Sequence, residues 1–254
     1  MDKTLIQTRF RRALDHYDQH AGVQADAAKR LVDLVLSRLG AEFPRVLEVG
    51  CGTGLLTRRL IASLRMQTLY ANDLVPECGQ RLPAVQTPRL VFLPGDAEAA
   101  AEWPPELDLA VSNAAFQWLQ NPAALLASLA AALRPGAGLA FAVFGPGHCR
   151  ELRDTLGVGL DYLGPAQWQE LAGRDFEFLF AEEEERALVF TGPREVLRHL
   201  RGLGATGLAG WRWRKESLRA WETEYRRAHA APGGVRLSQR ILYLVFKKRG
   251  GLAA

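Results

Sequence analysis

The sequence predicts an α/β fold, a mostly parallel seven-stranded sheet with helices on both faces, and three observations carry that prediction. From Pro44 to Phe144, short apolar runs alternate with amphipathic helical stretches, the rhythm of parallel βαβ units. One run, Val46-Leu47-Glu48-Val49, breaks into Gly50-Cys51-Gly52-Thr53-Gly54 and resumes as the amphipathic segment Leu55 to Leu64. That is a strand, a tight glycine turn and a helix start, a layout that brings a nucleotide-like ligand against backbone N–H groups. Finally, polar residues recur at the ends of the later strands, where ligands bind in open α/β sheets.

The elements follow in order. Residues 3–18 carry apolar side chains at Ile6, Phe10, Leu14 and Tyr17, a helical stripe, and a second helix spans roughly 23–39. Neither has strand partners nearby, so both read as an extension lying over the core. Strands are expected at Arg45–Val49, Gln67–Asn72, Leu90–Leu93, Leu107–Ser112 and Gly138–Phe144. The helix at 122–134 has Pro122 near its start and Leu125, Leu126, Leu129 and Leu133 on one face. Beyond Gly147, helices are expected near 149–158, 166–171, 193–202 and 215–229. An extended segment at about 176–190 and a strand from Leu237 to Lys248 complete the sheet, with a helical insertion between them. Glu182 to Glu185 reads as a solvated strand edge or turn.

Composition narrows the class. No run approaches the roughly 18 apolar residues of a membrane span. The first residues, with Asp2, Lys3, Arg9, Arg11 and Arg12, lack the apolar centre of a signal peptide. Cys51, Cys78 and Cys149 are scattered, with neither metal spacing nor a disulfide framework. A cytoplasmic, metal-free protein is the expectation. The net charge of +4 hides an asymmetry: residues 186–254 hold 15 Lys and Arg against 4 Asp and Glu, about +11. That points to an acidic partner or anionic substrate, or to a solvated arginine-rich surface.

The glycine turn has the form E-x-G-x-G-x-G. In the dinucleotide form the helix N-terminus faces a pyrophosphate. Here Glu48, two residues before Gly50, would repel phosphate and attract a cationic or amine-bearing ligand. S-adenosylmethionine (SAM) has an amino-acid end, a sulfonium and no phosphate, and it fits. Asp73, 19 residues beyond Gly54, is placed to accept ribose hydroxyls. Asp96, in Pro94-Gly95-Asp96-Ala97-Glu98, is placed for an adenine amino group, and strand four ends in Ser112-Asn113-Ala114-Ala115-Phe116-Gln117-Trp118.

Over residues 44–145 these features resemble the class I, Rossmann-like SAM-dependent methyltransferases. The flanks sharpen the likeness. Thr4-Leu5-Ile6-Gln7-x-Arg9-Phe10, Tyr17-Asp18, Ser112-Asn113-Ala114-x-Phe116-Gln117-Trp118 and Leu203-Gly204-Ala205-Thr206 resemble the malonyl-acyl-carrier-protein O-methyltransferases of biotin synthesis. The resemblance implies one domain over 1–254: a helical lid at 1–43, a SAM-binding core at 44–147, and substrate-facing helices with the last two strands at 148–254. It implies that Glu48, Gly50, Gly52 and Gly54 hold the methionine side of SAM, Asp73 the ribose, and Asp96 and Ala97 the adenine. Asn113 would lie beneath the sulfonium and Tyr17 would close over the site. The chain departs from the family pattern at Ser238-Gln239-Arg240 and at Gly207.

The implied reaction moves the SAM methyl to the free carboxylate of a malonyl thioester, on acyl carrier protein or on CoA. A carboxylate with a pKa of about 4 is already ionised at neutral pH, so no general base is expected. Arg201, just before Gly202-Leu203-Gly204-Ala205-Thr206, is the candidate for binding the malonyl carboxylate through its bidentate fork, and Trp118 is a second residue expected to bind the substrate. Trp211-Arg212-Trp213-Arg214-Lys215 interleaves aromatics and bases and could dock an acidic carrier protein, or nucleic acid by stacking. Three other readings stay open: methylation of another small acid or amine, RNA methylation, and a non-catalytic SAM-binding module. RNA is disfavoured because strand four ends in Ser-Asn-Ala-Ala rather than Asn-Pro-Pro-Tyr.

Overall fold

Five strands, β1 (Arg45–Val49), β2 (Thr68–Asp73), β3 (Arg89–Pro94), β4 (Leu107–Asn113) and β5 (Leu133–Phe144), pair in parallel in the order β3-β2-β1-β4-β5. The computed structural model describes residues 2–100, 102–205 and 215–250. The chain leaves β1 in one direction for β2 and β3, then returns to start β4 on the other side. That reversal opens a crevice beyond the carboxyl ends of β1 and β4, the usual ligand position in such sheets. All five strands lie within two residues of their expected bounds except β5, which begins earlier because Leu133 already pairs with Leu107.

Two antiparallel strands extend the sheet. β8 (Gly234–Lys248) lies beside β5, and β6 (Phe176–Phe190) lies outside β8 as the edge. The described residues hold an eighth strand where seven were expected. β7 (Ala230–Ala231) pairs with the start of β8 across Pro232-Gly233, and Gly233 turns the chain at φ +88°.

Side-chain alternation divides the core into two layers. Val46, Leu69, Leu109, Val111 and Ala140 face α3 (Gly22–Arg38) and α4 (Leu55–Ser63). Leu47, Val49, Ala110, Leu139 and Phe141 belong to the opposite layer, with α5 (Pro122–Ala132) and α7 (Pro165–Ala172). α5 starts as its sequence predicts: the Asn121 side chain accepts from the Ala124 N–H at 3.1 Å and Pro122 occupies the first turn. α6 (Arg150–Leu156), α8 (Pro193–Gly202) and α9 (Lys215–Ala228) contribute Leu152, Val196, Leu200, Trp221 and Tyr225 to a separate apolar cluster.

The single N-terminal helix expected over 3–18 is two. α1 (Lys3–Ala13) ends, Leu14 to His16 form a turn, and α2 (Tyr17–His20) starts again as one turn of helix. The Glu182–Glu185 run does lie on an edge strand, yet it is engaged. Arg30 donates to Glu182 at 2.9 Å, the Tyr243 hydroxyl donates to Glu184 at 3.0 Å, and Arg240 approaches Glu183 at 3.5 Å.

One buried carboxylate joins the starts of three neighbouring strands. Asp108 on β4 accepts the Arg45 backbone N–H of β1 at 2.6 Å and meets the Arg134 guanidinium of β5 at 2.6 Å. Removing it strands a buried N–H as well as a guanidinium. Asp108→Ala should lower the unfolding free energy by about 2 kcal/mol in urea titrations, and Asp108→Asn by less because an acceptor remains.

Candidate active site

The glycine turn is held from three sides. The Gly50 and Cys51 N–H groups both donate to the Asn72 carbonyl at 2.9 Å, tying the end of β1 to β2. Gly50 has φ +76°, and a Cβ there would stand 2.4 Å from the Ala115 Cβ in the loop after β4. Backbone conformation and close approach both require glycine. Asp73 then accepts the Gly52 N–H on one oxygen and the Val75 N–H on the other, each at 2.8 Å. Burial pushes the Asp73 carboxyl above its ordinary range, and these two N–H bonds oppose that rise.

Beneath the turn, Glu48 is 1% exposed and its Oε2 accepts the Thr57 hydroxyl of α4 at 2.6 Å. Burial raises its carboxyl to about 8, with the Thr57 bond acting against the rise. An acid in that position is poised to ionise when a cation arrives. Asn113, at the end of β4, donates to the Gln24 carbonyl of α3 at 3.0 Å. The Asn113 Oδ1 and the Gln24 Oε1 are buried without a partner. Two orphaned acceptors and a carboxyl thus surround one spot, a set that suits an ammonium or sulfonium group.

Three neighbouring cavities meet at Tyr17. The first is walled by Gly50, Gly52, Asp73, Asp96, Ala97 and Asn113 together with Tyr17, seven of the nine residues predicted to hold the cofactor. The third, nearest α4, adds Glu48 to Gly50, Gly52 and Asn113. Tyr17 lines all three. Gly54 lines none of them: at φ +84° it forms the N-terminal end of α4, and its N–H donates to the Cys51 carbonyl at 2.8 Å. Ile6, Phe10, Leu14 and Tyr17, a stripe that reads as core packing, form the roof of the first cavity.

Trp118 stands between the first and second cavities with its ring edge-on to Phe10 at 5.7 Å. The second cavity runs from there to Gln117, His148, Tyr162, His199 and Gln239. Gln239 belongs to the segment that departs from the family pattern. Its neighbour Ser238 is locked instead to the buried Glu151 through its N–H at 2.9 Å and its hydroxyl at 2.6 Å. Arg201 is not brought to any of these cavities. The inward face of α8 presents His199, Leu200 and Leu203, which leaves Arg201 exposed. Thr206, Gly207 and Trp211 to Arg214 lie outside the described residues.

Lys3 had no signal in the sequence. Its ammonium meets both Asp96 oxygens at 2.6 Å and also pairs with Glu98, fastening α1 over the end of β3. Asp18, next to Tyr17, accepts the Thr53 hydroxyl at 2.6 Å and fastens α2 to the glycine turn. Thr57 and Gln24 were missed for a simpler reason: a threonine nine residues past an acid, or a glutamine on a helix, acquires meaning only when the fold closes.

The fold and the cavity define the class as a Rossmann-like class I SAM-dependent methyltransferase. Residues 20–208 match the methyltransferase domain family. N-methyltransferase NodS from Bradyrhizobium japonicum, solved in complex with S-adenosyl-l-homocysteine, superposes with a TM-score of 0.54 at 16% identity, over 89% of this chain and 87% of that one. The chain belongs to the malonyl-[acyl-carrier protein] O-methyltransferase family. The relative of that name from Prosthecochloris aestuarii is 42% identical over 98% of this chain and 94% of its own length. The one from Haemophilus ducreyi is 35% identical over 98% of both.

Glu48 yields a test on the ligand-free protein. Its folded pKa lies above the ordinary value, so its stabilising protonation is complete below about pH 4 and is lost as pH rises through about 8. Urea unfolding should show stability falling by a few kcal/mol between pH 5 and 8.5 from this group, and Glu48→Gln should flatten that part of the profile.

Proposed function

We propose that the chain transfers the methyl of SAM to the free carboxylate of malonyl-acyl carrier protein, giving a methyl ester that enters biotin (pimeloyl) synthesis. The observation that carries this reading is the match to relatives of that name along nearly the whole of both chains. It includes α6, α8 and β8 around the second cavity as well as the glycine-turn core.

The residues present suit SAM. Glu48, Asn113 and Gln24 would surround its cationic end, Asp73 would meet the ribose beside the glycine turn, and Asp96 and Ala97 would border the adenine. SAM supplies a methyl on a sulfonium; it passes to a carboxylate oxygen, the sulfur keeps the bonding pair, and no proton moves. The protein has no proton to manage and must align the groups and keep water out. Tyr17 does the first by standing where the cavities meet. The apolar roof of Ile6, Phe10 and Leu14 does the second, fastened by Lys3 and Asp18.

The partner would be a carrier protein with an acidic surface, met by the basic last quarter of the chain. Labelled SAM offered with malonyl carrier protein, malonyl-CoA, free malonate and RNA should mark the malonyl thioesters; transfer to RNA alone, or to nothing, would overturn the reading. Raising salt from about 0.05 to 0.5 M should slow the carrier-bound reaction steeply and the reaction of a small malonyl thioester little. Asp73→Ala, which frees the Gly52 and Val75 N–H groups as well as the ribose site, should weaken SAM binding about tenfold or more by calorimetry.

A further inference from the structure

The second cavity has a charge make-up at odds with the usual way of binding an anion. Among the described residues, no arginine, lysine, aspartate or glutamate lines it. Its polar walls are Gln117, Trp118, His148, Tyr162, His199 and Gln239, with Tyr17 and Gln24 shared with the neighbouring cavities. His148 is stacked on Phe144 at 3.8 Å and meets the Tyr162 ring edge-on at 5.4 Å. Burial, and after it the charge of His199, push its pKa down to about 3; burial and His20 push His199 down to about 4. Both imidazoles are therefore neutral at physiological pH. Meanwhile the Trp118 Nε1 and the His148 Nδ1 are buried without a partner. Orphaned polar atoms on the wall of a cavity point to a ligand that completes them.

We propose that the acceptor's carboxylate is held in this cavity by uncharged donors, the Trp118 Nε1–H and the His148 imidazole N–H, with no cationic side chain among the described residues neutralising it. The inference rests on the reading of the reaction given above. Methyl transfer turns a carboxylate and a sulfonium into two neutral groups, so charge diminishes on the way to the transition state. A guanidinium facing the carboxylate would stabilise the fully charged anion more than the half-neutralised oxygen and would slow the step. Uncharged donors orient the oxygen with much less of that effect. His148 can fill this role only as the tautomer with its proton on Nδ1. The sulfonium then carries the counter-charge, which couples acceptor binding to the charge of the cofactor. The neutral ester has no ion pair to hold it and leaves.

Kinetics and binding on the full chain, with malonyl-CoA as the probe, test this. His148→Phe and Trp118→Phe keep an aromatic ring and lose the donor. Each should raise the KM for malonyl-CoA about tenfold or more. The SAM Kd of His148→Phe, a residue outside the first cavity, stays within about twofold and reports its folding, and a wild-type unfolding midpoint reports that of Trp118→Phe, which also borders the first cavity. His148→Gln, which restores an N–H, should recover most of the loss, and Arg201→Ala should change neither constant. Without any transfer, malonyl-CoA should bind the complex with sinefungin, whose amine replaces the sulfonium, about tenfold more tightly than the complex with S-adenosylhomocysteine. Wild-type constants in the two phenylalanine variants, or a tenfold rise in KM for Arg201→Ala, would overturn the proposal. If His148→Phe loses SAM binding, Trp118→Phe decides. A wild-type chain that methylates no malonyl thioester would overturn the proposed function, and this inference with it.

Discussion

The Asp73 carboxylate, with one backbone N–H on each oxygen, is the interaction on which the rest of the site depends. Gly52 and Val75 belong to different segments, the turn after β1 and the turn after β2, and a single side chain sets their separation. Gly50 and Gly52 bring no side chains to hold the first half of the turn, and Gly50 has no room for one. The shape of this half is therefore imposed from β2, through Asp73 and the Asn72 carbonyl. Once fixed, the turn leaves Glu48 buried below it and Asn113 across from it. This arrangement keeps a raised carboxyl and orphaned acceptors in a folded protein, an unfavourable concentration that the surrounding hydrogen bonds and packing must offset.

Legibility in the sequence followed how local each physical cause is. Alternating apolar runs reveal strands because the burial of each strand is encoded within it, so β1 to β4 fell close to their expected bounds. Most residues expected to hold the cofactor come together at the first and third cavities because they sit at strand ends, a position that the sheet order converts into proximity. The break between α1 and α2 was not legible: the 3.6-residue stripe continues through Leu14 and Tyr17, so nothing local marks the turn at Leu14–His16. The position of Arg201 away from the cavities was equally hidden. Its neighbours in sequence do line the second cavity, but a one-residue step along a helix rotates a side chain by about 100°, enough to move it from wall to solvent.

The N-terminal helices show how an apolar stripe can serve binding as well as core formation. Ile6, Phe10 and Leu14 need an apolar surface to cover, and the open cavity between β1 and β4 supplies one. The contacts that hold them there are polar and lie at the rim: Lys3 on Asp96 and Glu98, Gln7 on the Leu74 carbonyl at 2.7 Å, Asp18 on Thr53. A roof attached by half-exposed ion pairs and a few hydrogen bonds is weakly held compared with a packed core helix such as α3. Lys3 also sits on a carboxylate expected to face the adenine, so the roof and the cofactor would share one group at the end of β3.

Charge in this chain works at two distances. The excess of bases after residue 185 is partly answered inside the molecule. Arg186 reaches Asp26 at 2.6 Å, Arg240 lies between Glu183 and Glu185, and Arg194 pairs with Glu222. The acidic run on β6 is thus a counter-charge to the basic strand beside it, which the sequence presents as two unrelated blocks. What survives of the positive field acts over about a Debye length, roughly 10 Å at 0.1 M salt, and can attract an acidic partner without touching its substrate. The second cavity, by contrast, is lined by aromatic rings, amides and neutral imidazoles. Steering by the surface and orientation by the cavity are therefore separable, since salt screens the first and leaves short uncharged hydrogen bonds largely unaffected. If the second cavity takes the acceptor as proposed, an anion is drawn in by charge and still meets none of it among the described residues of that wall.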